Sequence, residues 1–95
     1  MDSESATLSV VNTRSAPVTF HLEPYGASTQ MPPGVTWTVS AALPPGDHLT
    51  VEMVEGAIVV HAGDSLYTPV TVSHGAETVI DCRPPEAALF DPYRR

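Results

Sequence analysis

Four histidines (His21, His48, His61 and His74), one thiol at Cys82, three methionines, and Ser65 beside Asp64 are the residues best suited to chemistry in this 95-residue chain. Imidazole, thiolate and thioether together suit a transition metal, and a serine hydroxyl suits acyl transfer when a histidine and a carboxylate activate it. Spacing argues against both. Zinc ligands usually come in close pairs two to four residues apart, whereas these histidines stand at least thirteen apart. His74 is the only histidine after Ser65, and no Asp lies three residues before it. A nucleophile lacking both base and orienting carboxylate has no mechanism. Calcium loops need alternating Asp or Asn around a Gly, and phosphate cradles need a Gly-rich turn opening a helix. The chain offers neither. Exposed acids such as Glu52 are read as solubilising rather than as a glycosidase pair. No catalytic, metal-binding or cofactor-binding residue is assigned, and no cofactor is expected.

Two resemblances to enzyme and copper-protein families are too short to change this. Gly63-Asp64-Ser65-Leu66 is similar to the block that names the GDSL hydrolases, but the likeness covers four residues. Those enzymes use an α/β sheet of about twice this length and a later Asp-x-x-His, which is missing here. The four residues are expected to form a turn. The cupredoxins place a Cys, a His and a Met in one short loop near the C-terminus. After Cys82 there is neither His nor Met, so blue-copper ligation fails.

The charge distribution excludes other partners. Eleven carboxylates stand against four arginines, for a net charge of −7, and no Lys or Arg occurs between Ala16 and Cys82. Such a body has nothing with which to neutralise phosphates, so neither nucleic acid nor an anionic membrane surface is expected as a partner. The opening Met1-Asp2-Ser3-Glu4-Ser5 has no basic or apolar leader character, and no apolar run approaches a membrane span. A single cysteine cannot form an internal disulfide. A cytoplasmic location is the expectation.

What must position any site is a set of strands. Val, Ile and Thr number 12, 2 and 10, with no Lys and one Gln, a composition that favours strands over helices. A chain of this size holds one domain and buries about 64% of its unfolded surface. Seven runs alternate with Gly, Pro or Asp clusters: 6–12, 17–23, 35–41, 48–55, 57–62, 68–73 and 76–82. The second alternates Val18, Phe20 and Leu22 against Thr19, His21 and Glu23, and Trp37 is the expected core anchor of the third. In the last, Val79 and Ile80 are adjacent, and alternation does not decide which faces inward. Met31-Pro32-Pro33-Gly34 and Leu43-Pro44-Pro45-Gly46 repeat twelve residues apart, each ahead of a strand. After Arg83-Pro84-Pro85, Glu86 to Phe90 favours a short helix in a tail carrying Leu89, Phe90 and Tyr93.

From Val10 to Gly34 the chain resembles a pattern in short bacterial β proteins. There an Asn at a strand end precedes an apolar strand closing in Glu-Pro-Trp-Gly, and a Pro-Gly turn follows. Here the residues are Val10-Val11-Asn12-Thr13, Pro17 to Gly26 ending Glu23-Pro24-Tyr25-Gly26, then Met31-Pro32-Pro33-Gly34, with Tyr25 in place of Trp. The resemblance implies kinship and brings no activity. The residues themselves read as a strand, then a β-turn with Tyr25 at its tip. Glu23 is free to accept hydrogen bonds from turn amides, or to form a recognition patch with Tyr25.

The expected architecture is an acidic end over residues 1–5, one antiparallel β-sandwich of about seven strands over 6–83, and a tail over 84–95. Its shape is immunoglobulin-like or cupredoxin-like without a copper site, with a small closed barrel as the alternative. The chain is expected not to be an enzyme. The function expected is that of an interaction or structural module, self-associating as a homo-oligomer or binding a protein partner. Leu89, Phe90 and Tyr93 are the first contact candidates, then Tyr25 and Glu23. The alternative is a small-ligand module for a sugar or a metal.

Overall fold

Apolar residues alternate with polar ones in most of the runs, and every described helix or strand element is a strand. The computed structural model describes residues 4–63 and 68–83. Within them lie β1 (Glu4–Val11), β2 (Val18–Glu23), β3 (Ala27–Met31), β4 (Thr36–Leu43), β5 (Leu49–Val54), β6 (Ala57–Ala62), β7 (Val70–His74) and β8 (Glu77–Cys82). They form two four-stranded sheets, ordered β1-β4-β7-β8 and β3-β2-β6-β5. No helix of the described residues is long and apolar enough to cross a membrane. The expected tail helix lies outside them.

The two sheets share one core. Val10, Trp37, Val39, Ala41, Leu43, Val70 and Val72 come from the first sheet, and Val18, Phe20, Leu22, Met31, Ile58, Val60 and Ala62 from the second. Phe20 and Trp37 meet edge to face across the gap, centroids 5.3 Å apart and planes at 72°, a geometry in which a ring edge meets the negative face of its partner. Trp37 is thus the anchor its strand pattern predicts.

Turn chemistry sorts the connections into two kinds. The hairpins β2–β3, β5–β6 and β7–β8 stay within a sheet, and each turns on a glycine of positive φ: Gly26, Gly56 and Gly75. Both Pro-Pro-Gly segments carry the chain from one sheet to the other, between β3 and β4 and between β4 and β5. In the second, the Asp47 amide donates to the Pro44 carbonyl at 3.1 Å. The twelve-residue echo therefore marks two inter-sheet crossings.

The structure corrects the expected layout in two places and decides a third point that alternation leaves open. There are eight described strands rather than seven, because Ala27–Met31 pairs with β2. Its inward positions are Ala27, Thr29 and Met31, too short of large apolar side chains to read as a strand. One pairing is parallel, β2 with β6, from Thr19↔Ala57 to Glu23↔His61, so the sheets are not wholly antiparallel. In β8 the register jumps between Ser73↔Thr78 and Val72↔Ile80. Val79 is the extra residue of a bulge and is exposed, while Ile80 packs on the core. Two sheets, rather than one closed barrel, enclose the core.

Candidate functional site

The residues of the Asn-to-Gly pattern are held by mutual hydrogen bonds. Asn12 ends β1 and is buried, at 2% exposure. Its Nδ2 donates to the carbonyls of Ala16 at 3.0 Å and Met31 at 3.1 Å, and its Oδ1 accepts from the Arg14 amide at 3.0 Å. Its main chain donates to Val35 and accepts from Gly34. One residue thus ties the β1–β2 connection and the end of β3 through its side chain, and the first Pro-Pro-Gly turn through its main chain.

Tyr25 is turned inward, not presented at a turn tip. Its ring is half-buried against the core, and its hydroxyl donates to the Thr68 carbonyl at 2.6 Å. This joins the β2–β3 turn to the segment entering β7, on the opposite sheet. The amphipathic ring lets one side chain do both, with its body in the core and its tip on a carbonyl. Burial raises the Tyr25 hydroxyl above its usual pKa, and Cys82 adds to the shift. Burial also raises the Cys82 thiol, with Asp81 contributing, the opposite of an activated thiolate.

Glu23 closes β2 on the outward face, in register with His61. His21 and His61 alternate with buried neighbours and face out from the same sheet. His61 Nε2 lies 3.3 Å from Glu52 Oε1 on β5. Asp47, His48, Thr50, His61 and Gly63 line an open cleft of about 220 Å³ beside that pair. His48 and His61 thus line one cleft, a proximity their spacing does not reveal, while His21 is not among its lining residues. Even so, no group of three or more His, Cys, Asp or Glu among the described residues is arranged to hold a metal ion. Gly63, the first residue of the Gly-Asp-Ser-Leu block, has φ +71° and comes close to the Asp47 carboxylate. Its amide donates to the His48 carbonyl at 3.2 Å. Ser65 lies outside the described residues, as do Leu89, Phe90 and Tyr93.

The feature that sequence reasoning missed is β5. Leu49, Val51 and Met53 oppose Ala62, Val60 and Ile58 of β6, so alternation marks them as core. In fact β5 is an edge strand that overhangs the core, and from Thr50 to Val54 every residue is exposed. Met53 is 72% exposed, with Val54 at 46% and Val51 at 41%. Met53 and Val54 line a groove with Val11 of β1, itself half exposed, and Arg14. The other edges are less apolar: β1 exposes Val11 beside Ser and Thr, β3 exposes Ser28 and Gln30, and β8 exposes Val79 at its bulge beside Glu77, Thr78 and Asp81. No protein-family model, curated protein or solved structure matches the chain.

Proposed function

We propose that this chain is a non-catalytic interaction module, a two-sheet sandwich of immunoglobulin-like or cupredoxin-like shape, which binds a protein partner by adding a strand to β5. The observation that carries this reading is an edge strand with Val51, Met53 and Val54 exposed. An unpaired edge presents a row of main-chain donors and acceptors, and natural sheets otherwise blunt such edges. Capture from native lysate on the full chain and on Met53→Lys tests it. A protein retained by the first and lost by the second supports edge pairing. Retention unaffected by Met53→Lys but lost when the chain ends at Pro85 moves the contact to Leu89, Phe90 and Tyr93, and overturns it.

A second reading rests on the cleft of Asp47, His48, Thr50 and His61, whose imidazoles, hydroxyl and carboxylate suit a small polyhydroxylated ligand. A ligand that binds only the folded chain raises its melting temperature by mass action. A flat response across a panel of sugars removes this reading.

A further inference from the structure

The β5 edge also specifies the chemistry of the strand it accepts, an inference that rests on the edge-pairing reading above. On β5, Val51 and Met53 share the core-side face, opposite Val60 and Ile58, while Thr50, Glu52 and Val54 share the outward face, opposite His61, Val59 and Ala57. Asp47 precedes the strand and Glu55 follows it; the basic side chains nearby are His61, 3.3 Å from Glu52 on the outward face, and Arg14, which lines the groove with Met53 and Val54. Residues directly opposed across an antiparallel pair point to the same face. A strand added beside β5 therefore places alternate side chains over Val51 and Met53, where the gap toward Val11 leaves apolar surface uncovered, and the others beside Thr50, Glu52 and Val54.

We infer that the partner of β5 is an extended segment in which apolar and basic residues alternate, apolar side chains completing the core edge and Lys or Arg facing Glu52. A second copy fits less well. Two-fold pairing of β5 with itself must oppose residues of like face. Of the two registers that overlap most of the strand, the one centred on Glu52 sets that carboxylate against its own copy, and the one centred on Val51 opposes Thr50 to Glu52 and brings Asp47 and Glu55, which flank the strand, toward one another at both ends. Like charges directly opposed destabilise a pairing.

The test uses the full chain, isotopically labelled, and two peptides of about six residues, an ordinary strand length. One alternates valine with lysine and the other valine with glutamate. The expected result is that the lysine peptide shifts the amides of residues 50–54 in NMR spectra and the glutamate peptide does not. Glu52→Lys weakens lysine-peptide binding about fivefold to tenfold, as expected for reversing a partly exposed charge pair. Should that variant not fold, rising salt must weaken binding to the unaltered chain in the same direction. Equal binding of both peptides at β5 overturns the basic preference and leaves edge pairing standing. No shift at β5 from either peptide overturns edge pairing as well. Shifts at residues 50–54 that track protein concentration without peptide assign the edge to a second copy. Slow exchange of the outward β5 amides in the free chain assigns it to the chain's own remaining residues. Both results overturn the inference.

Discussion

Replacing Asn12 with Ala removes three side-chain hydrogen bonds at a buried position. Each is worth about 1 kcal/mol net, and a carbonyl left buried without a partner adds roughly another 1 kcal/mol. The Met31 carbonyl stands in a buried contact, whereas the contacts of the Ala16 carbonyl and the Arg14 amide are only partly buried, so water compensates there more readily. The expected loss is about 3 to 4 kcal/mol, a large share of the typical 5 to 15 kcal/mol that holds such a domain together. At roughly 4 to 8 °C per kcal/mol, the melting temperature falls by at least about 12 °C. The single tryptophan, Trp37, is buried in the core, so its fluorescence follows unfolding directly. Asn12→Asp sharpens the test, because it points a carboxylate oxygen at the two carbonyls that Nδ2 now serves. At neutral pH it is expected to be less stable than Asn12→Ala. Burial raises the pKa of such a carboxyl in the fold, so acid restores part of the loss. A loss below about 1 kcal/mol for Asn12→Ala, or Asn12→Asp matching the unaltered chain at neutral pH, refutes the hub.

Tyr25→Phe keeps the ring and deletes the bond to Thr68; it is expected to cost about 1 kcal/mol by chemical denaturation, and an unchanged midpoint shows the tie to be idle. Tyr25 and Cys82 both hold their protons more tightly when folded than at their ordinary values of 10.0 and 9.0. Above those values the unfolded chain binds fewer protons than the native one, so stability falls as pH rises through that range. The fall is shallower in Tyr25→Phe, and a melting temperature that climbs with pH there contradicts the assignment. Gly63→Ala meets both a positive φ and the Asp47 carboxylate, while Gly75→Ala meets positive φ with open space around it. Both lose about 1 kcal/mol to backbone strain, and since the Asp47 carboxylate is the end of a side chain that can swing aside, the two losses are expected to be similar; a Gly63→Ala loss well above that of Gly75→Ala shows the carboxylate to be held in place.

Strand character was legible wherever apolar side chains alternate, as in Val18 to Glu23 or Ala57 to Ala62, because period two follows directly from the pleat. β3 escaped because Ala27, Thr29 and Met31 bury little between them. Val79 and Ile80 were undecidable because a bulge breaks the alternation that would have told them apart. The site was less legible than the fold. Alternation assigns Val51 and Met53 a face but not a position in the sheet, and strand order alone makes that face an exposed edge. Tyr25 reads as a turn residue by its neighbours, and only the return of β7 beneath it supplies the carbonyl that draws it inward.

Each sheet takes two strands from the first half of the chain and two from the second: β1 and β4 with β7 and β8, β2 and β3 with β5 and β6. During synthesis, Phe20 and Leu22 therefore wait for β6 before their sheet has a middle, and Val39 and Ala41 wait for β7. Neither half owns a complete sheet, so the chain is indivisible as a folding unit although it can be divided as a polypeptide. Cut at the Gly46 turn and produced as two pieces, it has the makings of a complementing pair, each piece lacking a stable fold until it meets the other.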